Sequence, residues 1–249
     1  MIVAADADLG EAAEAALWCS MSNAGQTCIG TERVYVHEDV FDSFMSELLS
    51  RARQLRPGYD DGGAYGPATM PSQLKIIKSH IDDAIARGGN VVLGGADAVG
   101  ERYVQPTIIT DVPEDSLAIT EETFGPTLVV NRVADMDEAI RLTNATKYGL
   151  AGSVFGNKDA LEIASRVRSG MTSVNSVITF AAIPGLPFGG VGDSGIGRIH
   201  GADGLREFTY PKSLVKQYMP PVISLTTFSR TKKSEQLFEQ LIKSLHGGV

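Results

Sequence analysis

A thiolate attacks carbonyl carbon, and an accessible cysteine, with an unperturbed pKa of about 8.5, is well placed to supply one. Of the two cysteines in the chain, Cys28 has the surroundings for this role. It lies in Gly25-Gln26-Thr27-Cys28-Ile29-Gly30, where the glycines let backbone approach a substrate and leave amide N–H groups free to hold an oxyanion. Residue type alone argues the other way, because free cysteines are more often buried packing residues. Cys19, inside a helical pattern, fits that description better. Glu121 and Glu122 precede Phe124-Gly125-Pro126. An acidic pair in a loop is ordinarily a solvated turn, and aromatics such as Phe124 and Phe188 are ordinarily core. The histidines, His37, His80, His200 and His246, stand singly, so no metal site is expected.

Cys28 falls just past a helix expected from about Leu9 to Asn23, with Asp8 as its cap, Glu11 completing a capping box and Gly25 ending it. Arg33 to Val36 reads as a strand. Phe41, Phe44, Met45, Leu48 and Leu49 mark a helix stopped by Pro57-Gly58. A glycine-rich loop, Asp60 to Gly66, leads to a third helix through Leu74, Ile77, Ile81, Ala84 and Ile85, ending at Gly88-Gly89. Asn90 to Leu93, Thr107 to Ile109 and Thr127 to Val130 read as buried strands. Asp135 caps a helix through Ala139 and Leu142, Leu150 to Phe155 is a strand, and Asn157 caps a helix through Ile163 that stops at Gly170. Met171 to Val174 returns as a strand. The alternation predicts an α/β fold with a parallel sheet covered on both faces. Asn175 to Gly204 is glycine-rich and without period, as long functional loops are. A strand over Ser213 to Tyr218 and a tail helix carrying Leu237, Phe238, Leu241, Ile242 and Leu245 complete the chain.

Hydrophobic residues are 43% and charged residues 21% of the sequence, a globular composition. The net charge of −8 repels phosphate backbones and excludes nucleic acid as a partner. No apolar run approaches the roughly 20 residues that cross a bilayer, and Met1 to Ala5 runs into Asp6 and Asp8 without a basic stretch, so no membrane association and a cytoplasmic location are expected. Two patterns are discounted. Gly190-Val191-Gly192-Asp193-Ser194-Gly195 satisfies G-x-G-x-x-G without a strand before it and an apolar helix after it. Asn144-Ala145-Thr146 matches a glycosylation sequon without a secretory signal.

Asn23-Ala24-Gly25-Gln26-Thr27-Cys28, followed by Arg33-Val34-Tyr35-Val36, resembles the active-site cysteine segment of the aldehyde dehydrogenase superfamily. Glu121-Glu122-Thr123-Phe124-Gly125-Pro126 is similar to its Glu-Glu-x-Phe-Gly-Pro motif. Pro187-Phe188-Gly189-Gly190 with Ser194-Gly195-Ile196-Gly197-Arg198 is similar to its C-terminal signature. The three stand in the family's order, and the likeness runs from about Ile2 to Lys216.

The resemblance implies a Rossmann-like α/β catalytic domain over residues 1–210, and an oligomerisation strand with a tail helix over 211–249. It implies an oxidoreductase that converts an aldehyde to a carboxylic acid through a cysteine thioester, with NAD or NADP as cofactor and a homodimer or higher homo-oligomer as assembly. Cys28 would be the nucleophile. Glu122 would accept from the nicotinamide ribose hydroxyls, and Phe124 would pack beside the nicotinamide. Thr27, Ile29, Phe180 and Phe188 would line the aldehyde site, and Ile183 falls in the same variable segment. The Ile183 to Gly190 stretch is similar to branches that accept medium-chain aliphatic or aromatic aldehydes. Met1 to Asp8 looks like sequence just downstream of the family's Glu-x-Gly-Gly-Lys segment, so a catalytic-domain fragment with little or no dehydrogenase activity of its own is expected. Two alternatives stand beside this: a cysteine-dependent esterase or acyl acceptor without hydride transfer, and a non-catalytic oligomerisation module.

Overall fold

The computed structural model describes residues 1–221, 226–229 and 231–247. It divides into two units, Met1–Thr209 and Tyr210–Val249. In the first, seven strands form one sheet among the described residues: β1 (Ile2–Val3), β2 (Arg33–His37), β3 (Asn90–Leu93), β4 (Thr107–Thr110), β5 (Thr127–Val133), β6 (Ala151–Phe155) and β7 (Met171–Val174). Their order is β3-β4-β5-β2-β1-β6-β7. All neighbours run parallel except β3 and β4. The expected parallel sheet is thus corrected at one edge. β3 and β4 are joined by a loop with only a short 3₁₀ turn, and an antiparallel neighbour needs no helical crossover.

Helices cover both faces. Asp8 caps α1 (Leu9–Met21), its side chain accepting from Glu11 N at 3.0 Å. α1 and α2 (Phe41–Ala52) bury Val34, Val36, Ile108, Leu128 and Val130 on one face. The intervening positions of the same strands turn the other way, as the two-residue period requires. There Ile109 and Val129 meet α3 (Pro71–Ala86), packed on α4 (Leu117–Thr120), while Ile2, Tyr35 and Val154 meet α5 (Met136–Thr143) and α6 (Ala160–Arg166). Asp135 caps α5 through Glu138 N at 2.8 Å.

Three expectations change. Met1 to Ala5 contains β1, only two residues long, yet paired with β2 on one side and β6 on the other. Two residues are too few to show any period. Asn157 does not cap α6, which starts three residues later; Asn157 N donates to Asp6 Oδ1 at 3.0 Å and ties the end of β6 to the segment after β1. Ser213 to Tyr218 forms no strand. Leu214, Val215 and Tyr218 are 88, 91 and 83% exposed, and a ribbon without a second strand has no ladder to join. A short helix α7 (Gly201–Arg206) lies in the glycine-rich region, and in the second unit α8 (Lys232–His246) is the expected tail helix. No described helix is long and apolar enough to cross a membrane.

Candidate active site

α1 ends at Met21, and the chain turns back on itself through Asn23, Ala24 and Gly25, all left-handed with φ of 53°, 58° and 70°. Gln26 locks the turn: its amide donates to Asn23 O at 2.9 Å and its oxygen accepts from Thr69 N at 2.8 Å. Next comes a tight bend, with Gly30 N donating to Thr27 O at 2.9 Å and Thr31 N to Cys19 O at 3.2 Å. Cys19 is buried beneath this loop, with its thiol 3.5 Å from Ile29 O, and plays the packing part expected of it. Cys28, at the bend, is exposed. Its backbone N–H has no acceptor among the described residues and is free to face a substrate oxygen.

The Glu121–Pro126 segment is presented from the end of α4. Asp83 on α3 accepts from Ser116 Oγ and Leu117 N, each at 2.8 Å, and pairs with Arg87. The Arg87 hydrogen bond, with help from the Leu117 amide and the Ser116 hydroxyl, draws the Asp83 pKa down to about 2. A carboxyl with a folded pKa below its unfolded value stabilises fully above the unfolded pKa, about 4, and loses that contribution as pH falls toward 2. Asp83→Asn is therefore expected to flatten the decline of melting temperature between about pH 4 and pH 2. An unchanged decline would remove Asp83 from the acid response.

The two adjacent glutamates part company. Lys147 Nζ lies 2.9 Å from both Glu121 oxygens, and Tyr148 Oη donates to Glu121 at 3.1 Å. These bonds hold the Glu121 carboxyl below its ordinary pKa. Glu122 is exposed and makes no hydrogen bond or ion pair among the described residues. Phe124 follows in a left-handed conformation, φ 46°.

A cavity of about 120 Å³ opens between the two segments. Thr27, Cys28, Ile29, Glu122, Phe124 and Phe180 all stand in its wall. Phe188 does not. Its ring packs on Phe180 at 6.3 Å and on His200 at 5.7 Å, so any influence on the cavity passes through Phe180. Ile183 is 44% exposed and also lies outside the wall. The G-x-G-x-x-G stretch braces the Tyr148-Gly149 turn, Gly149 N donating to Ser194 Oγ at 3.0 Å and Val191 N to Gly149 O at 3.0 Å. Its glycines follow no strand, in keeping with its dismissal as a phosphate loop.

The sequence profile of the Aldehyde dehydrogenase family matches residues 1–214. The chain belongs to the aldehyde dehydrogenase family. It is 40% identical over 215 residues to the 4,4'-diapolycopene aldehyde oxidase of a Methylomonas species, covering 86% of this chain and 40% of the relative. It is 39% identical over 220 residues to the mitochondrial aldehyde dehydrogenase of Leishmania tarentolae, covering 86% and 44%. The crystal structure of the NAD-dependent aldehyde dehydrogenase from Sinorhizobium meliloti superposes with a TM-score of 0.83 at 34% identity, over 91% of this chain and 45% of that one. The chain thus spans less than half the length of these relatives.

Proposed function

We propose that this member of the family carries the acyl-transfer centre of an NAD(P)-dependent aldehyde dehydrogenase, oxidising an aldehyde to a carboxylic acid. The observation that carries the reading is the convergence of an exposed thiol, its free backbone amide and an unpaired carboxylate on one cavity. Cys28 Sγ, as thiolate, attacks the aldehyde carbon. The backbone N–H of Cys28 donates to the alkoxide that forms, an interaction strengthened where water is excluded. The oxidised nicotinamide, when bound, supplies the hydride acceptor. The residues present suit its ribose end: the two Glu122 oxygens are free to accept from two hydroxyls, and the Phe124 ring offers a flat apolar wall. Glu121, engaged by Lys147 and Tyr148, is left to hold the turn. Phe180 and Ile29 give the aldehyde an apolar path to the thiol.

Release of the acid needs a general base for water. No Glu-x-Gly-Gly-Lys segment occurs among the 249 residues, so the chain by itself is expected to acylate faster than it turns over. Assembly as a homodimer through Ser213 to Tyr218 belongs to the same reading.

Iodoacetamide labelling followed by peptide mass mapping tests the reading. Cys28 should be alkylated well before Cys19, and a saturating aliphatic or aromatic aldehyde should slow that reaction through reversible thiohemiacetal formation. Alkylation of Cys28 that no aldehyde slows would remove it from the nucleophile's role.

A further inference from the structure

Glu32 is an acidic residue between the Cys28 loop and β2, where a side chain of this type would ordinarily be solvated. The residue keeps some surface, but its carboxyl is sunk among protein atoms. One oxygen, Oε1, accepts from two consecutive backbone amides, Thr123 N at 2.8 Å and Phe124 N at 3.0 Å. Its own carbonyl accepts from Val129 N at 3.0 Å, the first ladder bond from this segment to β5. The residue therefore grips the Glu121–Pro126 segment from the nucleophile's side. From the other side α3 holds Thr123, through Gln73 Nε2 to Thr123 O at 2.7 Å and His80 Nδ1 to Thr123 Oγ1 at 3.0 Å.

We propose that Glu32 is a positioning residue that fixes the Glu122 carboxylate and the Phe124 ring in register with Cys28. The role in catalysis rests on the reading of Cys28 and Glu122 given above; the clamp itself does not. Phe124 is the point of need. A left-handed phenylalanine is strained relative to its ordinary conformations, and it persists where the surroundings determine it. Without Glu32 the amides of Thr123 and Phe124 lose their acceptor in a partly buried setting, where an unsatisfied donor is destabilising. The turn then relaxes, carrying Glu122 and Phe124 off the cavity wall. Because both amides converge on a single oxygen, the amide oxygen of glutamine can replace it. The negative charge is not what the site uses; burial in fact raises the pKa of this carboxyl, against the pull of the two amides.

The test compares Glu32→Gln, Glu32→Asp and Glu32→Ala in the full chain by two readouts. In the first, amide hydrogen exchange, Thr123 and Phe124 should exchange at least tenfold faster in the Ala variant, remain within about twofold of the parent in the Gln variant, and fall between in the Asp variant, whose shorter arm cannot reach both amides. In the second, nicotinamide mononucleotide should slow Cys28 alkylation in the parent and in Glu32→Gln but not in Glu32→Ala, with the Cys28 rate without nucleotide changed less than threefold. Should Ala not fold, the Gln and Asp variants carry the comparison alone. Unchanged exchange in Glu32→Ala and Glu32→Asp, or Gln behaving as Ala, overturns the clamp. Altered exchange with no nucleotide effect in any chain, the parent included, keeps the clamp and overturns the cofactor reading instead.

Discussion

Cys28→Ala is expected to end acyl transfer from p-nitrophenyl acetate to the chain, lowering nitrophenolate release by at least about a thousandfold, because the attacking atom is gone and only the cavity's binding contribution is left. Parent chain should show a burst of nitrophenolate followed by a slow phase, with a single acetyl group on the Cys28 peptide by mass spectrometry. The burst is expected on the proposed reading: the thiol is exposed, its own amide has no acceptor among the described residues, and Glu122, the neighbouring glutamate without a protein partner, is there assigned to a ribose rather than to water. Cys28→Ser should fail nearly as completely, since a hydroxyl of ordinary pKa is a weak nucleophile without an adjacent base. Neither substitution should move the melting temperature appreciably, because exposed positions tolerate change within about 0.5 kcal/mol. Acetylation persisting in Cys28→Ala would assign the reactivity to another group, and the buried Cys19 would be the first to examine.

What the sequence showed and what it hid divide by the range of the physics involved. α1 and α5 were legible because Asp8 and Asp135 cap them locally, and α3 because its apolar residues recur at helical spacing along 16 residues. The Cys28 loop and the Glu122-Phe124 turn were legible as motifs, and the structure brings both to one cavity. Phe188, named with them, is separated from the wall by one aromatic ring. Features that depend on distant partners left no trace. β1 exists because β2 and β6 hold it, Asn157 was drawn from a cap to Asp6, 151 residues away in sequence, and Glu32 meets its two amides across 91 and 92 residues. Nor does a Glu-Glu pair announce that Lys147 and Tyr148 will take one carboxylate and leave the other open. Ser213 to Tyr218 makes the converse point: the segment reads as a strand in isolation, but a strand is a property of a pair.

Gly25→Ala should be the most damaging single-methyl change near the site. Gly25 is left-handed at φ 70°, and a Cβ there would run into the backbone carbonyl of Gly125, in the motif on the far wall of the cavity. Two costs add: about 1–2 kcal/mol for placing alanine in that conformation, and about 1–3 kcal/mol for an overlap that backbone, unlike a flexible side chain, cannot swing away from. Their sum, about 2–5 kcal/mol, corresponds to a fall in melting temperature on the order of 10 °C for a unit of this size. Gly88→Ala separates the terms. Gly88 is also left-handed, φ 102°, but a Cβ there meets nothing within 4 Å, so only the conformational cost applies. Gly25→Ala should also open the cavity, since the overlap is relieved only by moving the Cys28 loop away from Gly125, and aldehyde or nicotinamide mononucleotide should then protect Cys28 from alkylation less well than in Gly88→Ala. Equal melting temperatures for the two variants would mean that the Cys28 loop and the Glu122-Phe124 turn are not in direct backbone contact. A Gly25→Ala variant that loses stability while keeping full protection would mean that this contact supports the fold without setting the site.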